Sequence, residues 1–198
     1  GGGSNLLVSS SGFRGTVIRT TSLTEIANPD PGILVAEAGV RLPHLAKFAA
    51  ARGLSGLEFA VGIPGTVGGA VIMNAGAHGS CIANVLIEAT ILDTATGELI
   101  VIAKEDLQFS YRRCGLDPSR HVVVQARFAM AEGSAEQIEA KTKENEEYRW
   151  RTQPIGFPNA GSTFKNPSPD KTAGYLLDQA GAKELKEGGA AVSAIHAN

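Results

Sequence analysis

The chain has 198 residues and 43% hydrophobic content, enough for one or two domains with a core of ordinary size. Its 18 Lys and Arg stand against 20 Asp and Glu, a net charge of -2, which argues against a basic field for nucleic acid or an anionic membrane. Any anionic ligand has to be held by local groups. Cys81 and Cys114 form no CxxC pair, and His44, His78, His121 and His196 lack metal-ligand spacing, so neither a structural metal nor a disulfide scaffold is expected. No signal peptide, long apolar run or lipidation motif is found, so a cytoplasmic location is expected.

The opening Gly1-Gly2-Gly3-Ser4-Asn5 has two readings, a flexible linker or a backbone loop that wraps an anion, and composition leaves both open. Gly15 to Thr20 and Ile33 to Val40 alternate and are rich in β-branched residues, with turn residues at 28–32 between them, and they predict an antiparallel pair. Leu42 to Gly53 has apolar residues at helical spacing and an Arg-Gly stop, so it predicts an amphipathic helix. Next comes GIPGTVGG, residues 62–69. Pro64 stiffens its entry, Thr66 is placed to cap a helix, and Gly62, Gly65, Gly68 and Gly69 remove side chains along one stretch.

Those glycines fit a backbone approached by a bulky ligand, with helix-start amides suited to a pyrophosphate, and they fit close backbone packing equally well. Asn74, Gly76 and Gly79 continue the small-residue run. Two nucleotide motifs fail: the opening loop lacks the third glycine of GxGxxG and leads into strand-like residues, and GIPGTVGG has no following Lys-Ser or Lys-Thr.

Val85 to Ala103 contains two apolar runs split by Thr-Ala-Thr-Gly, and His121 to Ala131 adds another strand-like run. Ser134 to Gln153 is charged and helix-favouring, with Ser134 and Gln137 spaced as a capping box. A loop marked by Pro154 and Pro158 follows, then a short helix starting at Thr172 and ending near Gly181. No internal repeat is present, and the class is α+β.

Five blocks in order carry a resemblance: GGGSNLL, EFAVGIPGTVGGAVIMNAGAHG, FSYRRC, NAGSTFKNP and AGYLLDQAGAKELKEGGAAVSAIHAN. Together the chain resembles the UDP-N-acetylenolpyruvoylglucosamine reductases, FAD enzymes of bacterial cell-wall synthesis, with GSTFKNP and GIPGTVGG the most specific blocks. The resemblance favours the anion-loop reading of the opening. It implies an FAD-binding fold of the vanillyl-alcohol-oxidase type with a smaller C-terminal substrate-binding lobe. Residues 1–20 would belong to a first FAD-binding lobe, 21–151 to a second, and 152–198 to the substrate lobe. It also implies segments before Gly1 and after Asn198, the latter with a catalytic glutamate, so this chain alone is expected to be incomplete for activity.

The activity implied is reduction of UDP-N-acetylglucosamine enolpyruvate, with hydride passing from NADPH to FAD and then to the vinyl carbon, by a monomer. Such hydride addition needs charge accepted at the attached carboxylate, and Arg112 matches the family arginine for that task. Arg113 reads as a solvated or structural charge on the opposite face of a strand. Cys114 departs from the serine usual in this pattern. Ser162 matches the family's proton donor, although the residues alone would make it a turn serine. Asn166 and Lys165 are candidates for substrate binding, as is Tyr111, which otherwise reads as a buried strand tyrosine.

The implied cofactor-binding set is Gly1, Gly2, Gly3, Ser4, Asn5, Gly62, Ile63, Pro64, Gly65, Thr66, Gly68, Gly69, Asn74, Gly76 and Gly79. No chemical step attaches to Ser193 or His196. The Arg112 to Ser162 spacing leaves little room for the substrate-covering loop of one class of the family, so the chain resembles the shorter class. Two rival readings are an FAD oxidase of the same fold and a nucleotide-sugar binding module without redox chemistry.

Overall fold

A computed structural model describes all residues, 1–198, and separates them into two compact units, Gly1–Asn145 and Glu146–Asn198. The first is built on a five-stranded antiparallel sheet. Its strands are β1 (Ile26–Asp30), β2 (Ile33–Glu37), β3 (Leu86–Asp93), β4 (Glu98–Ala103) and β5 (His121–Ala129), in the spatial order β1-β2-β5-β3-β4. Alternation along the strands turns Leu34, Ala36, Ala89, Ile91, Val123, Ala126 and Phe128 into the core. Two helices complete that core. In α1 (Leu42–Ala50), Leu42, Leu45, Ala46 and Ala49 form one buried stripe, and Pro43 at the first turn needs no intrahelical donor. In α2 (Val67–Ile72), Gly68 lets the backbone come close to Ala38, the residue after β2, because a Cβ there would lie 3.0 Å from that of Ala38.

The hairpin β3–β4 and strand β5 form where the sequence places them. A bidentate ion pair joins the hairpin turn to the start of β5. Arg120 Nε donates to Asp93 Oδ1 at 2.7 Å and its Nη2 to Oδ2, and these bonds hold the Asp93 carboxyl down at about 2.

The predicted strand over Gly15 to Thr20 is absent. Thr16 to Arg19 lie exposed with no neighbouring strand, so their alternation has no face to bury. The strand that pairs with β2 is Ile26–Asp30, whose last three residues come from the 28–32 stretch read as a turn. It tolerates Pro29 because it is the sheet edge and carries a register shift between Ala27 and Asp30. The true turn is Pro31-Gly32, with Gly32 at φ +68°.

The charged segment forms α3 (Ala135–Thr152), which begins in the first unit and ends in the second. Within the first unit, buried Asn145 donates to the Glu58 carbonyl at 2.9 Å. The second unit contains α4 (Ala173–Gln179), capped by Thr172 Oγ1, which accepts from the Tyr175 amide, and stopped at Gly181 with φ +74°. No helix is long and apolar enough to cross a membrane.

Candidate functional site

The opening loop is seated on the 62–66 loop. Ser4 Oγ donates to the Pro64 carbonyl at 3.1 Å, and a Cβ on Gly1 would stand 3.1 Å from Thr66 Oγ1. Gly65, at φ +136°, faces Ser4, whose Oγ would lie 3.3 Å from an added Cβ. Thr66 occupies the position before α2, but its hydroxyl makes no capping bond, contrary to the sequence expectation. Its Oγ1 is buried without any hydrogen-bond partner in the chain. An orphaned buried hydroxyl costs about 1–3 kcal/mol, so a polar ligand group at this junction would satisfy it.

The α2 amides expected to face that ligand are partly spent, because Val67 and Gly68 donate to the carbonyls of Val40 and Ala38. The glycines divide into two kinds. Gly68 and Gly76 have a packing reason, since a Cβ on Gly76 would fall 2.6 Å from the Ser80 carbonyl oxygen. Gly2, Gly3, Gly69 and Gly79 face open space, where a Cβ would meet nothing within 4 Å. Gly62 and Ile63 are half-buried beside them, Ile63 packing on the core.

Ser110 and Arg113 exchange backbone hydrogen bonds at 3.0 and 3.2 Å, so Tyr111 and Arg112 are the two residues of a tight turn. This corrects the strand reading. Tyr111 is exposed and Arg112 half-buried, and no strand alternation separates Arg112 from Arg113. Arg112 holds φ +60°, at a turn position that ordinarily takes Gly or Asn. The non-glycine residues with positive φ are Asn74, His78, Gln108 and Arg112, and all fall in the segments 74–78 and 108–112. Backbone strain of this kind persists where the surroundings over-determine it, and it collects at functional sites.

Asn74 joins the two segments: its Nδ2 donates to the Ser110 carbonyl at 3.2 Å, and its Oδ1 accepts from the Ala83 amide at 3.0 Å. Sequence reasoning assigned Asn74 to a cofactor, and nothing in the sequence marks it as the brace of the Arg112 turn. Arg112 Nη2 in turn donates to Asn5 Oδ1 at 2.9 Å. The glycine loops and the arginine turn thus form one connected site. Cys114, one residue beyond the turn, is buried, and burial raises its thiol pKa.

In the second unit, Ser162 and Lys165 are exposed on the loop before α4, and Asn166 Oδ1 accepts from the Ala173 amide at 3.0 Å. The Asn198 side chain grips the same loop at Phe164, accepting from its amide at 2.7 Å and donating to its carbonyl at 2.9 Å. His196 Nδ1 accepts from the Asn198 amide, and Ser193 Oγ accepts from the Ile195 amide, so both serve the local backbone.

Comparison with known proteins matches residues 1–103 to the FAD binding domain and residues 153–198 to the C-terminal domain of UDP-N-acetylenolpyruvoylglucosamine reductase. Curated reductases of that name align over the whole chain, at 48% identity in a Synechococcus species and 47% in Nostoc punctiforme. The chain belongs to the UDP-N-acetylenolpyruvoylglucosamine reductase family. It spans 65% and 60% of the length of those two relatives. The crystal structure of the family's reductase from Thermus caldophilus superposes with a TM-score of 0.73 at 38% identity, covering 83% of this chain and 59% of that one.

The α+β FAD-binding fold expected from the sequence is the family's fold. The residues present fit its cofactor: the orphaned Thr66 hydroxyl and the open sides of Gly2, Gly3 and Gly69 leave room and a polar partner for a diphosphate.

Proposed function

We propose that this protein acts in the reduction of UDP-N-acetylglucosamine enolpyruvate to UDP-N-acetylmuramate, with NADPH as reductant, in the cytoplasm, as a monomer. The observation that carries the reading is the strained Arg112 turn, linked through Asn5 to the glycine loops. FAD, when bound, supplies the two-electron chemistry that takes hydride from NADPH and delivers it to the substrate. The cofactor would be held by Gly1 to Ser4 and by Gly62 to Gly69, with Asn5 turned to Arg112, Asn74 bracing the turn beside them, Gly76 packed against Ser80 and Gly79 leaving the adjacent backbone open. Residues 1–20 and 21–151 serve FAD binding, and 152–198 serve the substrate.

Arg112 pairs with the carboxylate of the enolpyruvyl group and draws charge toward it as the double bond is reduced. Tyr111, exposed beside it, contacts the substrate. Ser162 Oγ gives the proton to the carbon bearing that carboxylate, and Lys165 lies near enough in sequence to stabilise the resulting alkoxide. Asn166 orients the sugar nucleotide. The test takes the flavin-loaded enzyme at the length of its curated relatives and separates its half-reactions by rapid mixing. Arg112→Ala and Ser162→Ala are expected to slow flavin reoxidation by the enolpyruvyl sugar about 100-fold, while reduction by NADPH falls far less. Equal loss in both half-reactions would remove these residues from the sugar step.

A further inference from the structure

We propose that Asn5 is a positioning residue for Arg112, holding the guanidinium in register with the opening loop while leaving its charge whole. The backbone of Arg112 is already fixed by the Ser110–Arg113 bonds and the Asn74 brace. Its guanidinium stands at the end of a long, rotatable stem, and the hydrogen bond that fixes it is the 2.9 Å bond from Nη2 to Asn5 Oδ1. Asn5 follows Ser4, which is bonded to Pro64, so the arginine is tied through two residues to the 62–66 loop.

The chemistry of the partner matters. A carboxamide oxygen accepts one of the five guanidinium N–H groups and carries no charge, so the remaining donors and the full positive charge stay available for a carboxylate ligand. An aspartate at this place would hold the same geometry and neutralise it. Asn5 is therefore suited to aim the arginine without competing with an anion for it. The same link makes seating of the glycine loop a condition for placing Arg112.

The inference rests on the reading that Arg112 faces the substrate carboxylate, and its test separates the two. Asn5→Ala, Asn5→Asp, Arg112→Ala and the Asn5→Ala/Arg112→Ala pair are made in the flavin-loaded enzyme at the length of its relatives. Flavin content, affinity for the enolpyruvyl sugar by flavin difference spectrum, and the two half-reaction rates are measured. Asn5→Ala is expected to weaken sugar binding and slow the sugar step about 10- to 100-fold with flavin retained. It is expected to cost almost nothing further on top of Arg112→Ala. Asn5→Asp, which preserves shape and folding, is expected to keep its flavin and lose sugar affinity.

Multiplying effects in the double variant, or loss of flavin from Asn5→Ala alone, would overturn the inference. Should Asn5→Ala fail to fold, normal sugar affinity in Asn5→Asp overturns it. An intact sugar step in Asn5→Ala alongside an impaired one in Arg112→Ala sinks this inference only, whereas an intact sugar step in Arg112→Ala sinks the underlying reading with it.

Discussion

The two compact units are held by different forces. In the first, strands and helices bury a contiguous apolar core that includes Leu34, Leu45, Val71, Ile91 and Phe128. In the second, the buried apolar residues are three alanines, Ala173, Ala182 and Ala197, and its large side chains, Trp150, Phe157, Phe164, Tyr175 and Ile195, are exposed. Side-chain bonds to backbone order the second unit instead, notably the paired bonds from Asn198 to Phe164 and the Asn166 bond to Ala173. A rigid, buried frame therefore carries the strained arginine, while the serine rides on a loop fixed by a few polar contacts. Strain needs a frame that cannot relax, and the first unit has the buried area to supply one.

The largest blow to that contrast is Phe128→Ala, near the end of the central strand β5 and fully buried. It is expected to cost about 3–5 kcal/mol in urea unfolding followed by far-UV circular dichroism. A cost below about 1 kcal/mol would contradict the apolar account of the first unit. Asn198→Ala removes two hydrogen bonds, about 1–2 kcal/mol in all, and should speed hydrogen exchange at the Phe164 amide about tenfold. Unchanged exchange there would show that the loop is held by something else.

Acid sharpens the comparison through Asp93. Its carboxyl is held at about 2 by hydrogen bonds from Arg120, below its ordinary value of 3.8. A depressed folded-state pKa gives stability that is present above the unfolded value and lost as pH falls through the folded one, so the window runs from about 3.8 down to about 2. Asp93→Asn should lower Tm at neutral pH and flatten its decline across that window. An unchanged slope would mean that the pair contributes nothing. The smallest effect belongs to Val101→Thr on the exposed side of edge strand β4, expected within about 0.5 kcal/mol.

The sheet's interior was legible because β2, β3 and β5 carry alternating or continuous apolar runs that only a buried face explains. Ile26–Asp30 was not, because Asn28-Pro29-Asp30 share the turn-like composition of the Pro31-Gly32 that follows and become strand only by edge pairing with β2. Gly15 to Thr20 erred the other way, since alternation specifies a strand only when a partner lies alongside. The motif residues of the site were visible, but their arrangement was not. Nothing local in FSYRRC announces a left-handed arginine, because its backbone is set by Asn74, which lies 36 residues before Ser110 in the chain. The unpartnered Thr66 hydroxyl likewise shows only in the fold, where Gly1 comes to stand beside it.

The most direct test of the central claim is a visible absorption spectrum of the protein at the length of its curated relatives, purified without added flavin. The spectrum is repeated after anaerobic NADPH and again after the enolpyruvyl UDP-sugar. The account predicts flavin bands that bleach with NADPH and return with the sugar. A colourless protein that binds the sugar, or a bound flavin indifferent to both, would contradict it.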